Sequence, residues 1–218
     1  QGLGAEHTQV LINGQPVYSG LASVYGLEQI GTGDVDRIEV VKGAGSALYG
    51  SSAVAGAINI ITKEPSAVPS ISADVQFGNH GSNVYNFSSS MRNARGNIGL
   101  SVYAQKIDHD AIDATAEGST RSEVNRKDSI SDRVASKLHN LGFSFYVNDP
   151  FFGSDKLVLR GKAINEKREG GKIADDYYKN PFTDGTENII TNRYEAELNY
   201  TKHFGEKYEL NFSNTYIH

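Results

Sequence analysis

From residue 71 onward, apolar side chains return at every second position in seven separate runs. Ile71, Ala73, Val75 and Phe77 open the series, with Ser72, Asp74 and Gln76 between them. It continues through Tyr85, Phe87 and Met91, then Ile98, Leu100, Val102 and Ala104, then Leu141, Phe143, Phe145 and Val147. The last runs are Leu157, Leu159 and Ala163, then Tyr194, Ala196, Leu198 and Tyr200, and finally Tyr208, Leu210, Phe212 and Tyr216. A period of two puts each run on one face of a strand, so seven β-strands are predicted. The interleaved positions carry Asn86, Ser88, Ser101, Gln105, Ser144, Arg160, Lys162, Glu195, Glu197, Asn199, Glu209 and Asn211. That face is more polar than an ordinary core accepts. Alternation alone fits two architectures: a water-soluble sandwich that buries the apolar face, or a membrane barrel that turns it to lipid.

The connections favour the barrel. Short links are expected at 79–82, 93–97, 149–155 and 204–207, and long inserts at 108–137 and 169–191. After the first link, short and long alternate, as they do where short turns lie on one side of a membrane and long loops on the other. No apolar run approaches the ~20 residues of a membrane helix, so any span must be made of strands.

The first third of the chain has another texture. In VDRIEVVKGAGSALYGSSAVAGAINIITK, residues 35–63, Val35, Ile38, Val40 and Val41 interleave with Asp36, Arg37 and Glu39, a strand with one charged side. Gly43, Gly45, Gly50 and Gly56 then mark backbone that turns tightly or packs closely. One helical turn is expected at 46–49, and a largely buried strand at 57–62. This segment resembles the end of the plug domain of TonB-dependent outer-membrane receptors. In register with that family's pattern are Arg37, Ile38, Glu39, Val40, Lys42, Gly43, Ser46, Tyr49, Gly50, Gly56, Ile58, Asn59, Ile60, Thr62 and Lys63. Upstream, VLINGQPV at 10–17 is similar to the plug strand that usually reads VLIDGVPV. Ala44 replaces the usual proline and Ala55 the first glycine of a pair.

The resemblance implies a mixed α/β plug fragment followed by antiparallel transmembrane barrel strands. It divides the chain into the C-terminal part of the plug, 1–66, and the N-terminal strands of the barrel, 67–218. Seven strands fall short of a closed barrel, about eight at the smallest, so an incomplete barrel is expected. Gln1 then reads as a start inside the plug and His218 as a stop inside the barrel. The implied function is capture of a scarce nutrient outside a Gram-negative cell. A ferric siderophore leads, with cobalamin or haem as alternatives of the same family. Import would follow plug rearrangement driven by TonB and the inner-membrane proton motor, with outer-membrane lipid as the other partner and no bond-making chemistry. Arg37 and Glu39 are expected to latch the plug to oppositely charged barrel residues. Tyr177, Tyr178, Asn180 and Phe182, aromatic and hydrogen-bonding residues in the second long insert, are candidate ligand contacts.

Charge and composition narrow the rest. A formal net charge of −5 argues against a nucleic-acid partner, and the chain holds no cysteine. The segment Gly45–Ser52 has the glycine spacing of a phosphate loop, but Ser51 stands where the lysine belongs. No nucleophile elbow is present. Asp108, Asp110, Asp113 and Glu117 form an acidic cluster that does not meet the EF-hand pattern, and the six histidines show no metal-ligand spacing. No catalytic residue, bound cofactor or metal site is assigned. The competing reading from another class is a secreted all-β binding or adhesion module, in which the apolar faces pack between two sheets.

Overall fold

The computed structural model describes residues 8–16, 30, 32–42, 56–112, 131–151, 155–171, 186–205 and 208–218. They form two sheets, one of four strands in the order β2-β1-β4-β3 and one of seven in the order β11 through β5.

The small sheet holds β1 (Thr8–Ile12), β2 (Gln15–Pro16), β3 (Val35–Lys42) and β4 (Gly56–Thr62), with a 3-10 turn at Thr32–Asp34 leading into β3. β1 folds back on β2 through Asn13 and Gly14, whose φ values of 51° and 81° suit the tight turn of a two-residue hairpin. β4 runs parallel to β1 and antiparallel to β3. It is central and covered on both faces: Ala57 and Ile60, which point to opposite faces, are both buried, as is Leu11 of β1. Gly56 is required where β4 begins, since at φ 143° an added Cβ would lie 2.3 Å from the Val41 carbonyl oxygen.

The large sheet contains β5 (Ser70–Phe77), β6 (Asn83–Arg92), β7 (Ile98–His109), β8 (Ala135–Asn148), β9 (Asp155–Gly171), β10 (Thr186–Phe204) and β11 (Tyr208–Ile217), each antiparallel to its sequence neighbours. All seven alternating runs are strands. Their apolar residues share one face, and that face is uncovered: Ile71, Phe87, Leu100, Phe143, Leu198 and Phe212 are all exposed. The small sheet lies on the opposite, polar face. This overturns the two-sheet sandwich reading, which required the apolar positions to be buried.

The register gives the apolar belt a height. Its outward rows run Phe87–Ala104–Leu141–Ala163–Tyr194, Val102–Phe143–Gly161–Ala196–Tyr216, and Leu100–Phe145–Leu159–Leu198. Polar rows bound it, with Lys106, His139, Asn165 and Asn192 above and Asp155 with Lys202 below. From Asn165 to Asp155 the strand rises about 33 Å, or about 25 Å at a tilt near 40°, the height of the apolar band of an outer-membrane barrel.

The strands overrun the long inserts expected from the sequence. The connections span 110–134 and 172–185 rather than 108–137 and 169–191. Above the belt the outward positions become Lys137, His139, Asn165 and Lys167, while Leu138 and Ile164 turn inward and are buried. The apolar alternation stops at the belt edge because the strands there leave lipid for water. The ladder itself continues.

Candidate functional site

The motif residues of the small sheet form one hydrogen-bonded network. Arg37 Nε donates to Glu39 Oε1 at 2.9 Å and its Nη1 to Asp36 Oδ2 at 3.1 Å. Glu39 Oε2 accepts from Asn59 Nδ2 at 3.2 Å, and Asn59 Oδ1 accepts from the Gly14 backbone N–H at 2.9 Å. Thr62 N–H donates to Asn13 Oδ1 at 3.0 Å, and Asn13 Nδ2 donates to Thr62 Oγ1 at 3.0 Å. Lys63 caps the 3-10 turn, its Nζ on the Gly33 carbonyl at 3.0 Å and its N–H on the Asp34 carbonyl at 2.7 Å. Glu39, Asn59, Thr62 and Lys63 thus tie β3, β4, the β1 hairpin and the 3-10 turn together, a structural reason for those residue types at that spacing. Lys42 ends β3 opposite Gly56. Arg37 is exposed, and its partners among the described residues are on its own strand. Gly43, Ser46, Tyr49 and Gly50, with the helical turn expected at 46–49, lie outside the described residues, as do Tyr177, Tyr178, Asn180 and Phe182.

Two contacts of the small sheet with the wall shape the site, besides a bond from Gln15 Nε2 to Ser213 Oγ at 3.2 Å. At the first, Asp34 on the 3-10 turn faces inward residues of β7, β9 and β10. A cavity of about 60 Å³ lies there, lined by Ile12, Ile60, Tyr103, Arg160, Lys162 and Glu195 among others. Burial pushes the Asp34 carboxyl up from 3.8 to about 6, against the opposing pull of Arg160, Lys162 and Lys63; Glu197 adds to the rise. Arg160 itself pairs with Glu197, directly opposite on β10, at 2.9 Å. Nearby on β10, Arg193 pairs with Glu195 at 2.6 Å. Arg160 Nε and Gln105 Oε1 are buried without a hydrogen-bond partner among the described residues, a wall surface whose polar groups suit water better than a dry seam.

At the second place, the chain leaves the small sheet over the lower end of the wall. Glu64 pairs with Arg92 at 3.5 Å and also with Lys156. Arg92 Nε donates to the Pro65 carbonyl at 2.5 Å, and the Ser66 N–H donates to Ser90 Oγ at 2.6 Å. Both cations sit over the Tyr146 ring, Arg92 at 4.8 Å and Lys156 at 5.2 Å from its centroid. Pro65 is fully buried against Gly99, where a Cβ would lie 2.6 Å from the proline ring.

Sequence reasoning placed Arg160, Lys162, Glu195 and Glu197 on the polar face but did not join them to Asp34. The links of Glu64 to Arg92 and Lys156 it missed altogether. The available signal was the density of charge at inward positions of β9 and β10. Of the acidic cluster, Asp108 pairs with Lys106 at 2.7 Å, while Asp113 and Glu117 lie outside the described residues. Among the described residues no group of three could hold a metal ion.

Comparison with known proteins bears on both sheets. Residues 1–57 match the family model of the TonB-dependent receptor plug domain. Over 75 residues the chain is 43% identical to the ferric enterobactin receptor PirA of Pseudomonas aeruginosa, covering 30% of this chain and 10% of that protein. Over 98 residues it is 31% identical to the vitamin B12 transporter BtuB of Vibrio vulnificus, covering 45% of this chain and 16% of that one. The whole fold is similar to the ferric yersiniabactin uptake receptor FyuA of Yersinia pestis, with a TM-score of 0.70 at 16% identity, over 97% of this chain and 32% of that structure. The chain therefore spans a minor part of the length of the proteins it matches. The structural likeness speaks for the fold, a small sheet seated against strands of a barrel wall.

Proposed function

We propose that this chain, a TonB-dependent receptor plug followed by barrel strands, serves an outer-membrane receptor that takes up a ferric siderophore. The observation that carries the reading is the joint one: a wall with a lipid-height apolar band outside and a charged, water-suited face inside that holds a plug. Such an arrangement fits gated passage. We place the boundary between plug and barrel near residue 66, between β4 and β5. Plug movement would be driven by TonB and the inner-membrane proton motor, a partnership that rests on the family.

A ferric chelate leads because 43% identity ties the plug region to a protein named as a ferric enterobactin receptor. Cobalamin is the second reading, carried by the 31% identity to a vitamin B12 transporter. Tyr177, Tyr178, Asn180 and Phe182 remain our candidates for ligand contact. Arg37 and Glu39, exposed on β3, remain our candidates for a latch to oppositely charged barrel residues. The test is uptake of radiolabelled ferric enterobactin and cobalamin by cells expressing the full receptor, with and without a proton uncoupler. Uncoupler-sensitive uptake of the iron chelate is expected. Uptake of cobalamin alone moves the receptor to the second reading, and uptake of neither refutes both.

A further inference from the structure

We propose that the outward face of the wall carries a site for one anionic phospholipid, its phosphate held between Lys137 and Lys167 and an acyl chain lying in a groove of the apolar belt below them. The inference goes beyond the transport reading and holds whichever nutrient is the cargo.

A depression of about 650 Å³ opens on the lipid-facing side of the sheet. Its floor is made by the small side chains of Ala104, Ala163 and Ala196, and Leu141, Phe143 and Tyr194 stand around it. The Phe143 ring lies against Gly161, where an added Cβ would be 2.3 Å away, so the ring is laid down on the sheet and leaves the hollow open. At belt height the matter available to fill it is a lipid tail. Charge stands directly above. Ala104, Leu141 and Ala163 share one outward row; two residues up Lys106 faces His139, and two further up Lys137 faces Lys167. Residues two apart on a strand share a face, and these four side chains are exposed on the outer one. The upper pair lies about 5 Å above the belt edge along the membrane normal, inside a headgroup layer about 5–8 Å deep.

The charges there do not balance. Lys106 pairs with Asp108 at 2.7 Å, and Lys167 pairs with Glu169. Asp108 is directly opposite Lys137 but is engaged by Lys106, so Lys137 has no ion-pair partner among the described residues. It sits instead directly opposite Lys167. Like charges opposite one another on one face repel, and an anion between them replaces that repulsion with two charge-assisted hydrogen bonds. His139 adds an N–H donor beside Lys106. At the other edge of the belt the outward Lys202 is matched by Asp155 at 3.4 Å, so the surplus belongs to the end from which the long connections leave. An anionic lipid supplies the missing charge at that height and fills the groove with the same molecule. A free anion would leave the groove empty, and a zwitterionic headgroup would bring a cation of its own.

The test is native mass spectrometry of the full receptor in detergent, titrated with dioleoyl phosphatidylglycerol and, separately, with dioleoyl phosphatidylcholine. The tightest-held lipid should be phosphatidylglycerol, and its affinity should fall as salt rises. One lysine beside a membrane anion is worth about fivefold in affinity, so Lys137→Gln combined with Lys167→Gln should weaken binding about thirtyfold. Asp108→Asn releases Lys106 from its partner and should tighten binding about fivefold, a gain that misfolding does not produce. Ala163→Phe fills the groove from its floor and should weaken binding with every headgroup residue still in place. Equal affinity for the two lipids, or an affinity unmoved by the double lysine variant, would overturn the proposal. So would weaker binding in Asp108→Asn, unchanged binding in Ala163→Phe, or displacement of the lipid by glycerol 3-phosphate alone.

Discussion

Replacing Asp34 by asparagine tests the electrostatics of the plug seat directly. The carboxyl is raised from 3.8 to about 6 chiefly by burial, and the attraction of Arg160, Lys162 and Lys63 does not cancel that effect. At 1.36 kcal/mol per pKa unit, holding the charged form in the seat costs about 3 kcal/mol relative to a carboxylate in water. The sign follows from proton binding. A group whose pKa is raised in the docked state binds more protons there between pH 4 and 6, so docking is strongest below about 4, weakens as pH rises through 6, and is flat above. Asparagine keeps the shape and removes the charge. Its docking should show none of that pH dependence and should exceed the wild type by about 3 kcal/mol at pH 7.5, about a hundredfold in the docking constant, converging near pH 4. The assay is urea titration of the full receptor in detergent, read by a thiol fluorophore at Thr8→Cys on the plug, from pH 4 to 8. A wild-type midpoint that rises between pH 4 and 6, or an Asp34→Asn receptor less stable than wild type at pH 7.5, would refute the reasoning.

Three further outcomes are expected. Gly142→Ala should lower the unfolding midpoint of the barrel, because the new Cβ would meet the Tyr103 ring 2.3 Å away; overpacking of this kind costs about 1–3 kcal/mol, and an unchanged midpoint would show that the ring swings freely. Leu100→Arg puts a charge near mid-height in the belt, where Leu159 of its row lies four residues from Asp155 and six from Asn165, and should destabilise the folded barrel in lipid by about 2–4 kcal/mol, measured by denaturant titration in vesicles; a loss below about 1 kcal/mol would place that row at the interface. Arg37→Ala, in the full receptor, should loosen the plug and admit large antibiotics. Unchanged permeability and uptake would count against the latch.

The order of strands was legible because lipid imposes a period of two on every outward residue, and the seven runs map one to one onto β5 to β11. The limits of those strands were hidden by the same rule. Beyond His139 and Asn165 the outward side chains enter water, so a β9–β10 ladder that persists to Gly171 resembles a polar loop in sequence. The plug motif was legible as a motif but not as a mechanism. Nothing in the spacing of Asn59 and Glu39 announces that one asparagine bridges a carboxylate on β3 and a turn glycine after β1. The pairing of Glu64 with Arg92 and Lys156, at separations of 28 and 92 residues, is beyond any local pattern. Asp34 was hidden for another reason: an acidic residue before a strand normally reads as a cap or turn, and its burial depends wholly on the wall.

The overrun of β9 past the belt sets where a ligand is first met. From Asn165 to Gly171 the strand climbs about 20 Å, some 15 Å along the membrane normal at a tilt near 40°. The headgroup layer on one side of a bilayer is only about 5–8 Å deep. The hydrogen-bonded part of the wall therefore stands as a stiff collar well clear of the lipid surface. A bulky solute arriving from outside would encounter a rim raised about 7–10 Å above the headgroups, about one screening length at physiological salt, where the membrane's surface charge is already much weakened.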